Sequence, residues 1–496
     1  MLRTLLASAF PLRRGEWGLG LFLYGLLTLM VAADWVGKLG ADALFVKRYG
    51  VQYVPVMYIV TPIAMLAVSA MIFFFVDRVR RRTLLLWYVA VTTLLCVAVQ
   101  ALIWEPLIGN VIQPISYVFA HGVKETIYIL FWVYAGNLYD AAQAKRLFPF
   151  FAGSVLVGKI VGGLVGAAIA PVVHAENFIG AQAIGFFVCL VALVLYRGLP
   201  EGHGVAAADS HSRPHGLRAS MRDSVDGYRT VASDGLLRTF GVGVFFWYFL
   251  MQFANFLYLL GLDQSSAAVA TGQGREDLFS QLYAGVYTSA SLVALGIQSF
   301  ITTGLLRRLG IARVLFLLPL WFLATYAVAA LTAPTTATIA FAAGVALQLG
   351  ERIWIPALHR PASELVYSQV SAAIRPRARA FLSGGVNAFG NMAAAVALVG
   401  GLRWLDVQTL LAVGAGLALV YVYNAVHTTR VFSDRIVANL SSIDPDLRYS
   451  AAELFRTEHR GPSDDVLRAV PADVEHAVRV ALTRRGMLAV ATDVTE

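Results

Sequence analysis

Long apolar stretches separated by short clusters of charge run along most of this chain. A helix rises about 1.5 Å per residue, so roughly 20 apolar residues cross a hydrocarbon core about 30 Å thick. On that measure the sequence predicts spans near 17–46, 52–76, 84–104, 111–139, 150–173 and 177–197. A polar interval from Leu199 to Asp234 follows, and a second set of spans lies near 238–260, 279–304, 313–332, 337–359, 380–402 and 407–427. From Val431 the long apolar runs cease. The expected fold is all-α. It is a polytopic membrane protein with about twelve transmembrane helices in two six-helix halves, residues 1–198 and 236–430. A cytoplasmic linker at 199–235 joins the halves, and a small cytoplasmic helical tail fills 431–496.

Of the 496 residues, 58% are hydrophobic and 14% charged, against about half and about a quarter in an ordinary soluble chain. The main partner is therefore a lipid bilayer. The net charge of +9 does not point to nucleic acid, because the basic residues sit between the spans and are not interleaved with aromatics. They set orientation instead, since Lys and Arg near helix ends hold a loop in the cytoplasm. With the amino terminus inside, the inside loops carry Arg78, Arg80, Arg81 and Arg82, then Lys145 and Arg146. Further along they carry Arg218, Arg222 and Arg229, Arg307 and Arg308, and Arg375, Arg377 and Arg379. The opposite loops hold little beyond Lys47, Arg48, Arg275 and Arg403. This asymmetry predicts a multi-pass protein of the cell inner membrane with both termini cytoplasmic. The first span follows Arg3, Arg13 and Arg14 without a short apolar core and cleavage signal, so it reads as a retained helix.

Six spans, a long cytoplasmic connection and six more spans resembles the layout of the major facilitator fold, in which two halves rock about a central site. The connection reads as a flexible stretch around Glu201 to His215 and then a short amphipathic helix near Leu217 to Val231. Asp77 and Arg78, followed by Arg80, Arg81 and Arg82, fall between the second and third spans, where facilitator proteins carry an Asp-Arg-x-x-Arg-Arg type turn. Arg307 and Arg308 are a weaker echo in the second half. Such a turn serves either as a gate that exchanges ion pairs or as a topology signal.

A Lys, Arg or Asp at the centre of a span costs about 2.5–3.5 kcal/mol on insertion scales, so these residues face a cavity or a partner. Asp34 and Lys38, four apart in the first span, share one helical face. Lys124 and Glu125 lie in the fourth span, and Lys159 lies in the fifth among glycines that let another helix approach. The second half offers Gln252 and Asn255, then Glu351, Arg352, Arg360 and Glu364 in and just after the tenth span. Asn387 and Asn391, four apart in the eleventh, offer hydrogen bonds to a polar ligand. For each charge a structural ion pair or a snorkelling side chain is the alternative. Cations from both halves facing one cavity suit an anionic solute, while Asp34 or Glu125 suit a transported proton. Cys96 and Cys189 lie inside apolar spans without thiol or His partners at ligand spacing, so no metal site or disulfide is expected. No cofactor is implied, and the lack of a phosphate loop or nucleophile elbow argues against an enzyme.

In the tail, Asp444 to Leu454 and Pro471 to Leu482 share an amphipathic helical rhythm that resembles HEAT-type repeats. One and a half units do not bury a continuous core, so the tail is expected to lean on the membrane domain or on a cytoplasmic protein partner.

Phe131-Trp132, followed by Ala144-Lys145-Arg146-Leu147-Phe148-Pro149-Phe150-Phe151, is similar to the Phe-Trp and Ala-Lys-Arg-Phe-Tyr-Pro-Leu-Phe signature of the ATP/ADP translocase family. Arg360-Pro361-Ala362-Ser363-Glu364-Leu365-Val366-Tyr367 resembles that family's Asp-Pro-Thr-Lys-Glu-Met-Ala-Tyr, and Lys38 stands about where the family has a first-span Lys. The resemblance implies a facilitator-like carrier related to nucleotide exchangers, with Lys38, Lys145, Arg146, Glu364 and Tyr367 matching the pattern. Arg360 and Ser363 replace the family's Asp and Lys, and His121 and Gly122 stand where an acidic residue is expected before Phe131, so ATP/ADP exchange itself does not follow.

The expectation from sequence is thus a secondary transporter that moves an anionic solute, a nucleotide being one candidate, by alternating access. The alternative is a transporter-derived scaffold or sensor whose tail recruits a protein.

Overall fold

A computed structural model describes residues 13, 15–76, 79–105, 107–136, 138–139, 141–196, 226–332, 337–371, 374–440, 442–444, 447–448, 450–451 and 454–455. The Asp77-Arg78 pair, residues 197–225 with most of the linker, and the tail beyond 455 lie outside these residues, as do the side chains of Lys124, Glu125, Lys145 and Arg146.

The described chain is all-α. In order, the helices are α1 (Trp17–Tyr49), α2 (Val54–Val76), α3 (Arg81–Trp104), α4 (Gln113–Gly136), α5 (Ala141–Val173) and α6 (Phe178–Leu195). The second half has α7 (Gly235–Val269), α8 (Gly272–Gly296), α9 (Ile311–Thr332), α10 (Ala337–Leu349), α11 (Asn387–Gly401) and α12 (Val407–Asn439). Nine of the described helical segments are long and apolar enough to cross a membrane. Lipid as the outer solvent is visible on α3, where Trp87, Val91, Leu94 and Trp104 point outward on one face.

Several helices outrun the apolar windows. α5 begins at Ala141, so Lys145 and Arg146 are helical and do not sit in a loop; α12 continues to Asn439, well past 427. The apolar window marks only what lipid must cover, whereas hydrogen bonding carries a helix on into water.

Three helices of the second half change register. α8 runs through a π-helical turn, Ile297–Ile301, into Thr302–Leu309. α10 becomes π-helical over Gly350–His359 before Arg360–Tyr367, so Arg360 and Pro361 continue a rod and do not end one. α11 is preceded by Arg375–Ala380 and a π turn, Phe381–Val386. Pro356 lies inside the second of these turns, and proline, lacking an N–H, disfavours unbroken α register.

Packing is closest where side chains are smallest. A Cβ on Gly162 of α5 would stand 2.6 Å from the Ala32 carbonyl and 2.8 Å from the Trp35 Cβ of α1. The neighbouring Gly163 faces the other half, where a Cβ would meet Thr288 Oγ1 of α8 at 2.0 Å. Small residues at this crossing let α1, α5 and α8 approach backbone to backbone. A central apolar core spans both halves, joining Trp35, Phe45 and Tyr117 to Tyr258, Tyr283 and Phe322. Leu447, Ala451, Leu454 and Phe455, at the start of the tail, are buried in a second-half core with Val366, Phe432 and Ile436. Ser450 also donates to Ser368 at 2.9 Å. The described part of the tail therefore leans on the membrane domain.

Candidate functional site

The close crossing of α1, α5 and α8 sets the floor of a polar cluster between the halves. Trp35 of α1 and Tyr287 of α8 pack with ring centroids 4.7 Å apart. Lys38 and Lys159 hold their ammonium groups 5.2 and 5.6 Å from the Trp35 ring. From the other half, the Arg352 guanidinium lies 3.7 Å from the Tyr287 centroid. Three cations from three helices thus converge on two touching aromatic rings. Each cation–π contact is worth about 0.5–2 kcal/mol, which offsets part of the cost of holding the charge away from water.

A hydrogen-bond chain fixes Arg352. Its Nε donates to Gln348 Oε1 at 3.2 Å, Gln348 Nε2 donates to Asn255 Oδ1 at 2.9 Å, and Asn255 Nδ2 donates to the Tyr58 hydroxyl at 2.7 Å. Glu351 pairs with Arg352 at 3.1 Å. The chain crosses from α10 through α7 to α2, so it ties the halves together through the cluster. Trp35 Nε1 and the Tyr258 hydroxyl are buried with no hydrogen-bond partner among the described residues. Such donors ordinarily find a protein group, a water or a ligand.

Beside the cluster lies Asp42, one turn beyond Lys38 on α1 and 1% exposed. His121 Nε2 of α4 stands 2.8 Å from its Oδ1, and the His121 ring stacks on Tyr117 at 4.2 Å. The Tyr283 hydroxyl reaches both Asp42 and, at 3.2 Å, the Tyr287 hydroxyl.

At the end of the bundle where α1 and α7 finish, ion pairs bridge the halves. Lys47 pairs with Glu276, and His174 Nδ1 lies 2.8 Å from Asp277 Oδ2. The Ala175 N–H donates to Asp277 Oδ1 at 3.2 Å. His174 carries this contact at φ 61, a backbone conformation uncommon for a residue other than glycine. Arg48 braces the same end within the first half, donating to Glu176 at 2.6 Å and to the Gly109 carbonyl at 2.8 Å.

The residues singled out from sequence fall into three groups. Lys38, Lys159, Asn255, Glu351 and Arg352 come together in the cluster, and Asp34 is buried on α1 one turn before Lys38. Asn391 Nδ2 donates to Asn387 Oδ1 at 2.7 Å, so these two satisfy each other on α11. Glu364 pairs with Arg379, whose guanidinium lies 5.4 Å from the Tyr367 ring, and Arg360 is exposed. That third group belongs to the opposite end of α10, away from the cluster. The Phe131-Trp132 pair packs on the start of α5: Trp132 meets Phe148 edge-on at 5.2 Å, and Phe131 meets Phe151 at 6.0 Å. The two signature-like stretches are thus one aromatic contact between α4 and α5.

Asp42, Trp35 and the tyrosines of α7 and α8 escaped the reading of the sequence. Asp34, Lys38 and Asp42 form a ladder at intervals of four, and Tyr283 and Tyr287 repeat that spacing, which was the available signal.

Comparison with solved structures settles the architecture. A mutant of the nucleoside transporter NupG superposes with TM-score 0.59 at 14% identity, over 83% of this chain and 99% of that one. The chain has the major facilitator fold. A D-xylose–proton symporter (TM-score 0.54, 14% identity, 84% of this chain and 97% of that one) and a bacterial homologue of the human lysosomal transporter Spinster (0.53, 13%, 85% and 98%) share the facilitator architecture. No family model matches the sequence, and no curated protein matches it. The structural neighbours of this facilitator-fold chain are secondary transporters, not enzymes.

Proposed function

We propose that this protein is a secondary transporter that moves an anionic solute across the cell inner membrane by alternating access. The observation that carries the reading is the convergence of Lys38 and Lys159 from the first half with Arg352 from the second on the Trp35–Tyr287 pair. An anion held there meets cations on both sides of the rocking axis, so it binds best when both halves grip it. Buried donors on Trp35 and Tyr258, without partners among the described residues, supply further hydrogen bonds. A nucleotide is the first candidate, because the Phe131-Trp132 and Ala144 to Phe151 stretches resemble the ATP/ADP translocase family; the departures at Arg360 and Ser363 make other phosphate or carboxylate solutes the next candidates.

Twelve crossings with both termini cytoplasmic fit the basic loops, two six-helix bundles and the linker between them. The bridging ion pairs of Lys47 and His174 then lie at the outer end. Uptake into liposomes of radiolabelled ATP, ADP, phosphate, a nucleoside, a dipeptide and a pentose tests the reading. The anions enter, and Arg352→Gln lowers their uptake at least about thirtyfold, the equivalent of roughly 2 kcal/mol for a truncated buried charge contact. Equal uptake of neutral solutes, or no loss in the variant, refutes it.

A second reading is a membrane scaffold whose HEAT-like tail recruits a cytoplasmic protein. The burial of Leu447, Ala451, Leu454 and Phe455 on the second half supports it, since it anchors the start of the tail. A pull-down with and without residues after Phe455 separates the two.

A further inference from the structure

We infer that Tyr58 of α2 is a further solute-binding residue, its hydroxyl donating to an oxygen of the bound anion from the end of a hydrogen-bond chain that Arg352 orients; the inference rests on the carrier reading above. The sense of the chain follows from arginine, which only donates hydrogen bonds. Arg352 Nε meets Gln348 Oε1 at 3.2 Å, so the Gln348 amide nitrogen points the other way and donates to Asn255 Oδ1 at 2.9 Å. That contact turns the Asn255 nitrogen toward Tyr58, where it donates to the hydroxyl at 2.7 Å. Reversing either amide sets one N–H against another. Tyr58 therefore accepts from Asn255, and its own O–H hydrogen points to the side away from Asn255.

That hydrogen stands beside the cluster. The charges of Asp42, Glu351 and Arg352 act on the Tyr58 hydroxyl. Tyr58 is 5% exposed and Gln348 is fully buried, so bulk water does not serve the chain. Both carboxylates are already engaged, Asp42 with His121 and Tyr283 and Glu351 with Arg352. Among the described residues, the bond accepted from Asn255 is the one hydrogen bond of the Tyr58 hydroxyl. A buried O–H ordinarily finds an acceptor. Next to three cations, the acceptor this position suits is a phosphoryl or carboxylate oxygen of the solute.

Tyr58 adds α2 to the helices that hold the anion. Lys38 stands on α1, Lys159 on α5 and Arg352 in the π turn of α10, and the Asn255–Tyr58 bond is where the chain passes from the second half to the first. Hydrogen bonds in series polarise one another, so a hydroxyl that accepts on one side donates more strongly on the other. The solute oxygen thus ends a line of donors that begins at a fixed positive charge. The same line sets solute chemistry at this point: a bare oxygen completes it, whereas a solute N–H sets donor against donor.

Calorimetric titration of the full-length protein in detergent, with phosphate and with ATP as probes, tests the assignment in wild type, Tyr58→Phe, Asn255→Leu and the double variant. Tyr58→Phe weakens binding of both probes about tenfold, as expected for one hydrogen bond to a charged group. That variant also leaves the Asn255 nitrogen unpaired, so the deciding comparison is made in the Asn255→Leu background, where this nitrogen is gone. There Tyr58→Phe still weakens binding about tenfold, and without anion the double variant melts at the temperature of Asn255→Leu alone. Unchanged affinity in that background makes Tyr58 a brace for Arg352 and overturns the inference, while the carrier reading stands. A wild-type protein that neither binds nor transports either probe overturns the carrier reading, and the Tyr58 assignment falls with it.

Discussion

In the first half, α1, α4 and α5 keep α-helical register through their whole length, whereas α8, α10 and α11 of the second half each meet a π-helical turn. Both kinds of helix supply the same cluster. Trp35, Lys38 and Lys159 stand on rods clamped together at Gly162, where no Cβ fits. Arg352 stands inside the π turn of α10, where the α-helical register is interrupted and Pro356 supplies no N–H to restore it. One half is built to hold geometry and the other to adjust it. In a carrier, the adjustable half is where a solute that arrives or leaves has its effect.

Two substitutions bear on this contrast. The larger effect belongs to Gly162→Leu, which drives a side chain into the Ala32 carbonyl and Trp35. Overpacking of this kind costs about 1–3 kcal/mol, so detergent-solubilised protein melts at lower temperature, while Gly153→Leu, with nothing within 4 Å of its Cβ position, melts as wild type does. Equal melting of the two variants means the α1–α5 crossing is not a clamp. The smaller effect belongs to Pro356→Ala. Restoring the N–H favours α register, which turns Arg352 away from Tyr287. Anion uptake falls about tenfold, the equivalent of about 1.4 kcal/mol, with the melting temperature unchanged. Unaltered uptake makes the π turn a packing detail.

Much of the fold was legible because lipid imposes a simple demand, and a run of about 20 apolar residues has few other uses. Helix ends were less legible. α1, α7 and α12 continue past the apolar windows onto residues that window reading assigns to loops. Lys38, Lys159 and Arg352 stood out since a charge inside a span is costly. Trp35, Tyr283 and Tyr287 did not, because an aromatic residue in an apolar helix looks like core until its cationic neighbour is known. Glu276 and Asp277 sat in a polar stretch before a span, and only the folded chain brings them to Lys47 and His174. Glu364 and Tyr367 were legible as a motif, yet their contacts are with Arg379 at the far end of α10. The motif marked a helix junction and not the cluster.

The most direct measurement is a structure of the full-length protein in lipid nanodiscs with saturating ATP, and with phosphate in a parallel sample. The account predicts anion density between Lys38, Lys159 and Arg352, over the Trp35–Tyr287 pair, that disappears in Arg352→Gln. Density confined to Arg375, Arg377 and Arg379 at the opposite end, or an empty cluster under both conditions, contradicts it.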